Sequence, residues 1–242
     1  MRRPIAGRAL LAIAFCAAAC GGPTADPSDY VEIPGIGATR VDVPRPTSPD
    51  GAECALSLPA DKSIEERTIA LRGLGLFAGR ATLSDAALVE AVRTEIEAVW
   101  GSDVEVDDPF MELLVAERDT DRVWWHDLEA DVVDENQVYV STIEDWAAIS
   151  VGAFKPTDVS ETWDSAAGPI TVAFTLGGQA REFHPAYLED WIDPTIVGPI
   201  NDLIATSGRR LEIVKAFDQT AFVMALTKAE RAGLESRGWC FE

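Results

Sequence analysis

The stretch from Gly168 to Cys240 constrains the fold most, because its turn and cap signals come at spacings that leave few readings. Ile170 to Leu176 reads as a short apolar strand, Gly177-Gly178 as a hairpin turn, and Gln179 to His184 as the returning strand. A helical stretch is expected from Pro185. Pro194 and Pro199 break it into Ala186–Ile192 and Thr195–Ala205, because proline removes a backbone donor and clashes with the preceding turn. Arg210 to Phe217 and Thr220 to Leu226 form a second strand pair across Asp218-Gln219. A last helix opens on Thr227, with Glu230 three residues on completing a capping box, and stops at Gly238, just before Cys240. Helices and antiparallel hairpins therefore mix without a βαβ rhythm, which predicts an α+β fold in which hairpins pack with helices. These signals argue for a folded unit and name no reaction.

Upstream, helices are expected over Ser63–Leu71 and Ser84–Trp100. The second has Ser84 as its N-cap, Asp85 in the first turn, Gly101 at the end, and Leu88, Val92, Ile96 and Val99 on one face. Gly73, Gly75 and Gly79 match neither phosphate-binding glycine pattern and read as tight turns. Asp108-Pro109 opens a helix through Val115 or, nearly as well, a strand. Further helices are expected over Val140–Ser150 and, after Pro156, over Thr157–Trp163. Glu144-Asp145-Trp146 recurs as Glu189-Asp190-Trp191; the flanks do not match, so two similar acidic helices with buried tryptophans are expected rather than an internal repeat. Residues 54–242 are long enough for a single domain with its own core, and a loose division near Ala166 stays open.

The amino end carries an address. Arg2, Arg3 and Arg8 precede the short apolar run Ala9–Ala19, too short to span a bilayer but suited to a secretory signal peptide. Small residues Ala17-Ala18-Ala19 stand before Cys20, with Gly21-Gly22 after it. This arrangement resembles the lipobox of bacterial lipoproteins, departing from it in having Ala17 where leucine is commonest. An ordinary signal peptide cut after Ala19 is the alternative. The resemblance implies residues 1–19 as a cleaved signal, lipid on Cys20, and attachment to the membrane through that lipid. It places the protein in the cell envelope, at the outer membrane if the host is Gram-negative, since Gly21 rather than aspartate follows the cysteine. With Cys16 lost and Cys20 lipidated, Cys54 and Cys240 remain as one pair in an oxidising compartment. A disulfide between them closes a loop whose chain entropy is worth about 4–5 kcal/mol. No C-x-x-C occurs, so a staple is expected rather than a redox pair. Residues 20–53 hold Pro23, Pro27, Pro34, Pro44, Pro46 and Pro49 and read as an extended tether, with some β character between Tyr30 and Val43.

Charge excludes two partner classes. The formal net charge of −21 becomes −24 once the three signal arginines are removed. Such a surface repels nucleic acid and anionic lipid headgroups; it attracts a cationic partner, or serves solubility alone.

Chemistry-bearing residues concentrate after Arg122. Trp124 and Trp125 are followed by Asp127, Glu129 and Asp131, then Asp134 and Glu135. Alternating carboxylates outside the cytoplasm suggest calcium, but Val132 and Val138 occupy positions where an EF-hand loop needs glycine and a bidentate glutamate. Tryptophans beside acids also suit a sugar platform, or the two-carboxylate centre of a glycoside hydrolase built on Asp127 and Glu129. Against that reading, Trp100, Trp146, Trp163, Trp191 and Trp239 are expected on helices or at their ends, where core packing accounts for them. His126 and His184 are the only histidines; no H-E-x-x-H and no G-x-S-x-G occurs. No catalytic residue, metal ligand or cofactor is assigned. The expectation is a non-enzymatic envelope lipoprotein that binds a protein or another envelope component. An extracytoplasmic glycan-binding protein or hydrolase at Trp124, Trp125, Asp127, Glu129 and Asp131 is the first alternative, and a calcium-stabilised module the second.

Overall fold

Ser63 opens the first helix, α1 (Ile64–Gly73), through a capping box: its hydroxyl accepts from the Glu66 N–H while the Glu66 carboxylate accepts from the Ser63 N–H. The computed structural model describes residues 54–102, 109–215 and 219–242, which lie within one compact unit, Pro46–Glu242. The expected signal, Cys20, the tether, Asp108 and Asp218 fall outside the described residues.

After a tight turn and a single 3-10 turn comes α2 (Asp85–Trp100), capped by Ser84, with Leu88, Val92 and Ile96 buried and Val99 exposed. The stretch after Pro109 is helical, α3 (Met111–Glu117), and leads into the strand β1 (Val123–Asp127). The helix α4 (Val138–Ile149) follows, then three strands: β2 (Thr157–Trp163), β3 (Ile170–Leu176) and β4 (Gln179–Phe183). A 3-10 turn, Pro194–Ile196, runs into α5 (Val197–Leu203); β5 (Arg209–Ile213), β6 (Thr220–Thr227) and α6 (Lys228–Glu235) complete the chain. The fold is α+β, as expected. Gly177 and Gly178 both adopt positive φ in the β3–β4 turn, a conformation open to residues without a Cβ.

Two helix expectations fail, and Trp100, expected to pack in the core, is 38% exposed at the end of α2. Thr157–Trp163 is a strand, antiparallel to β3 from Thr157↔Thr175 to Trp163↔Ile170 with one bulge. Val159, Glu161 and Trp163 alternate with the more exposed Ser160 and Thr162, a period of two that suits one covered face. Ala186–Ile192 is not helical either. Its end lies extended beside the residues after β1: the Ala130 N–H donates to the Asp190 carbonyl and the Ile192 N–H to the Leu128 carbonyl, both at 2.8 Å. Bonds across to another segment have replaced bonds along a helix. Trp163 and Trp191 are consequently on extended chain.

Sheet order is β1-β6-β5 in one sheet and β2-β3-β4 in the other, antiparallel throughout. Strand β6 separates two cores. Phe222, Met224 and Leu226 pack with α1, α2, α3 and Leu234 of α6. Ala221, Val223 and Ala225, on the other face, pack with α4, α5 and the inner residues Ile170, Val172 and Phe174 of β3. Ala166 sits in the connection between β2 and β3, two strands that pair with each other.

Charge on the helical side is buried largely in ion pairs, while the buried Asp119 accepts instead from the Phe77 N–H. Glu112, fully buried, accepts from Arg237 at 2.8 and 2.9 Å and faces the equally buried Arg67 at 3.7 Å, joining α1, α3 and the residues after α6. Glu230 faces Arg122 at 3.1 Å and Arg209 at 2.7 Å while also completing the α6 capping box with Thr227. Burial works against the Glu230 carboxylate, but the Thr227 N–H and the two guanidinium groups outweigh it and hold its pKa below the ordinary glutamate value.

Cys54 and Cys240 form a disulfide, their Cα atoms 5.8 Å apart. Cys240 is held from both sides: its carbonyl accepts from the Lys215 N–H, and the Glu242 N–H donates to the Ile213 carbonyl, each at 2.9 Å. Residues 54–58 run tightly over Gly238, whose φ is +91° and whose added Cβ would lie 1.9 Å from the Ser57 carbonyl oxygen. Only glycine fits there.

Candidate functional site

The residues nominated from sequence lie on β1 and the turn after it. Strand geometry sends successive side chains to opposite faces, so Trp124 and Trp125 do not share a surface. Trp124 is buried in the core that contains α4; its Nε1 donates to Asp145 at 3.1 Å, its ring meets Trp146 edge-on, and it stacks on His126 at 4.8 Å. Trp125 packs on the opposite core against Phe222, and its Nε1 donates to the Thr220 hydroxyl at 3.1 Å. Both indoles are accounted for by packing and hydrogen bonding.

Asp127 accepts from the Glu129 N–H at 3.0 Å, a local turn bond. Glu129 is exposed and accepts from the Gln219 amide at 2.8 Å. Asp131 has a φ of 47°, and its carbonyl accepts from Asn136. Among the described residues, no group of three or more His, Cys, Asp or Glu side chains is placed to hold a metal ion. Among the described residues, one open depression lies between α1 and Arg237 and another on β2-β3-β4. None of the nominated residues lines either.

What the end of β1 does hold in place is the loop Pro185–Asp193. Glu129 pairs with Trp191, and Leu188 with Trp191, in isolated antiparallel bridges. Asp193, buried, closes the loop: one carboxylate oxygen accepts from the Ala186 N–H at 2.9 Å, and the other from the Thr195 N–H and hydroxyl at 2.9 and 2.6 Å. The Asp193 N–H donates to the Tyr139 phenolic oxygen at 3.0 Å. The Tyr139 N–H, in the first turn of α4, donates to the buried Glu161 carboxylate at 2.8 Å, a carboxylate where the helix dipole favours one. The second oxygen of Glu161 accepts from Trp163 Nε1 at 2.7 Å, and the Trp163 ring meets Tyr187 edge-on at 5.7 Å.

The contacts thus form a closed circuit from Tyr187 through Trp163, Glu161, Tyr139 and Asp193 back to Ala186. Burial, with the nearby Asp193 and Glu161 charges adding to it against the Asp193 N–H, pushes the Tyr139 phenol up to about 12.

Held this way, the loop presents apolar side chains to solvent: Tyr187 is 38% exposed and Leu188 43%. Glu189 at its tip has a φ of +58°, uncommon for a residue with a side chain and sustained here by the surrounding bonds. Sequence reasoning missed this site because Tyr187, Leu188 and Trp191 are also spaced as one face of a helix. The signal present was Asp193-Pro194 with Thr195, a capping pattern that starts the helical turn after the loop rather than within it.

The chain matches no protein-family model, no curated protein and no solved structure.

Proposed function

We propose that this chain is a lipid-anchored binding module of the bacterial cell envelope, with the loop Pro185–Asp193 as its contact surface. The observation that carries the reading is the exposure of Tyr187 and Leu188 on a loop whose backbone is fixed by Asp193, Tyr139 and the end of β1. Exposed apolar side chains on a pre-formed loop suit binding, because little further ordering entropy opposes association. The lipobox-like segment at Ala17–Cys20 supports the envelope address. Packing and local bonds around Trp124, Trp125, Asp127 and Glu129 assign those residues to the fold, which supports the loop rather than β1 as the contact surface.

A photo-crosslinking amino acid at position 187, in the full chain produced in its own host, tests the reading. The same label at Glu90, exposed on α2, serves as the control. A discrete adduct formed from 187 and not from 90 supports it; no adduct from 187, or the same pattern from both, overturns it. Cys20→Ser in the same cells moves the protein out of the membrane fraction if the lipid anchor is real.

A glycan-binding reading draws on Trp191, half-buried and paired with Glu129, whose carboxylate accepts from Gln219: an aromatic residue with polar groups nearby. Binding of host envelope oligosaccharides that is lost on Trp191→Ala would favour it.

A further inference from the structure

The acid excess of this protein is concentrated in one part of the structure. Between Trp124 and Gly208 there are fifteen Asp and Glu and only two bases, Lys155 and Arg181. From Arg209 to Glu242 there are six bases and five acids. The helical side also pairs its arginines with carboxylates, as at Arg67, Arg80, Arg122 and Arg237.

Three segments meet around the exposed loop: 127–137, 157–169 and 184–196. Residues 128–130 bond with 190–192, Trp163 meets Tyr187, and the 3-10 turn Asp134–Asn136 packs on β2. These segments hold eleven Asp and Glu and no Lys or Arg. Glu161 and Asp193 are buried inside the circuit, Asp127 is half-buried, and Asp158 lies at the far end of β2 in a depression shared with Arg181, which leaves seven exposed carboxylates on the segments that meet at this loop.

These segments carry no lysine or arginine of their own, and the apolar tip Tyr187-Leu188 stands on one of them, next to Glu189 and Asp190. Resting on the binding-module reading above, we infer that the partner is a basic protein segment: lysines or arginines facing the carboxylates, and an apolar side chain seated against Tyr187 and Leu188. The two features divide the work. Exposed carboxylates steer a cationic partner and raise its encounter rate, an effect screened beyond about 10 Å at 0.1 M salt. Desolvation of an aromatic and an aliphatic side chain supplies contact energy that salt does not remove. A purely acidic face would bind any polycation; the apolar tip adds selection for a partner with an apolar side chain in register.

The test uses the purified full chain and three fluorescently labelled synthetic peptides of equal length. One is built of lysine, leucine and glycine; the second carries serine for each leucine; the third carries glutamate for each lysine. Binding is read by anisotropy at low and at moderate salt. The lysine–leucine peptide should bind about tenfold or more tightly than either control. Tyr187→Ser with Leu188→Ser, which leaves the charges, and Glu189→Gln with Asp190→Asn, which leaves the tip, should each weaken it by about tenfold. All four side chains are exposed, and circular dichroism with melting temperature confirms that each variant is folded. Equal binding of the serine peptide, or affinity within about twofold of wild type in either double variant, overturns the inference. So does absence of binding by the lysine–leucine peptide. A position-187 adduct in cells alongside that result would leave the binding module standing with a partner of other chemistry.

Discussion

The backbone N–H of Asp193 donates to the phenolic oxygen of Tyr139 at 3.0 Å, although 54 residues separate them in the chain. Each residue has a second role. Tyr139 meets Glu161 through its own N–H, and Asp193 gathers the donors of Ala186 and Thr195. This one bond therefore links the start of α4 to both ends of the exposed loop.

Tyr139→Phe removes the acceptor and leaves the buried Asp193 N–H unsatisfied, which should cost about 1–3 kcal/mol in urea unfolding. The same residue sets an alkaline limit. The folded phenol holds its proton up to about pH 12, while the unfolded one releases it near pH 10. Its contribution is thus fully present below pH about 10 and lost as pH rises toward about 12. The wild type should lose stability across that window, and Tyr139→Phe should lose less; a parallel decline in both proteins would count against this role.

Glu112→Gln removes the charge opposite two arginines, one of them fully buried. Leaving a buried charge without its partner should cost about 3–5 kcal/mol. A loss below about 1 kcal/mol in chemical denaturation would show that Arg67 is satisfied without it.

Cys54→Ser with Cys240→Ser opens a loop of 186 residues' separation and should lower stability by about 4–5 kcal/mol. Gly238→Ala should destabilise the oxidised protein as well, because residue 238 has no room for a Cβ under Ser57. If thermal melting of Gly238→Ala matches wild type, the close approach of these two segments is wrong.

Local signals were legible in the sequence. The Thr227–Glu230 capping box, the Ser84 cap and the Gly177-Gly178 turn each bind residues within a few positions, so neighbouring chemistry suffices to place them. Cys54 and Cys240 were paired by parity, not by geometry, and the structure joins them. Thr157–Trp163 is not legible as a strand from its own residues, because a strand of seven residues depends on its partner, and β3 lies beyond the connection around Ala166. The segment 186–192 is misread for the same reason: Asp190 and Ile192 bond with Ala130 and Leu128, which lie far earlier in the chain. Trp124-Trp125 illustrates a different limit. Adjacency in sequence suggested one platform, but pairing of β1 with β6 places the two rings in separate cores.

The sulfur bridge also determines where a mechanical load enters the domain. Tension arriving along the chain from before Cys54 crosses directly to Cys240, between Trp239 and Phe241, both buried in the helical-side core. The segment after Cys54 cannot be peeled away strand by strand, because its first residue is already fixed to the last turn of the fold. Such a load would be borne by that packed core and by the bonds of Cys240 and Glu242 to β5 and its continuation, rather than by the backbone that follows Cys54.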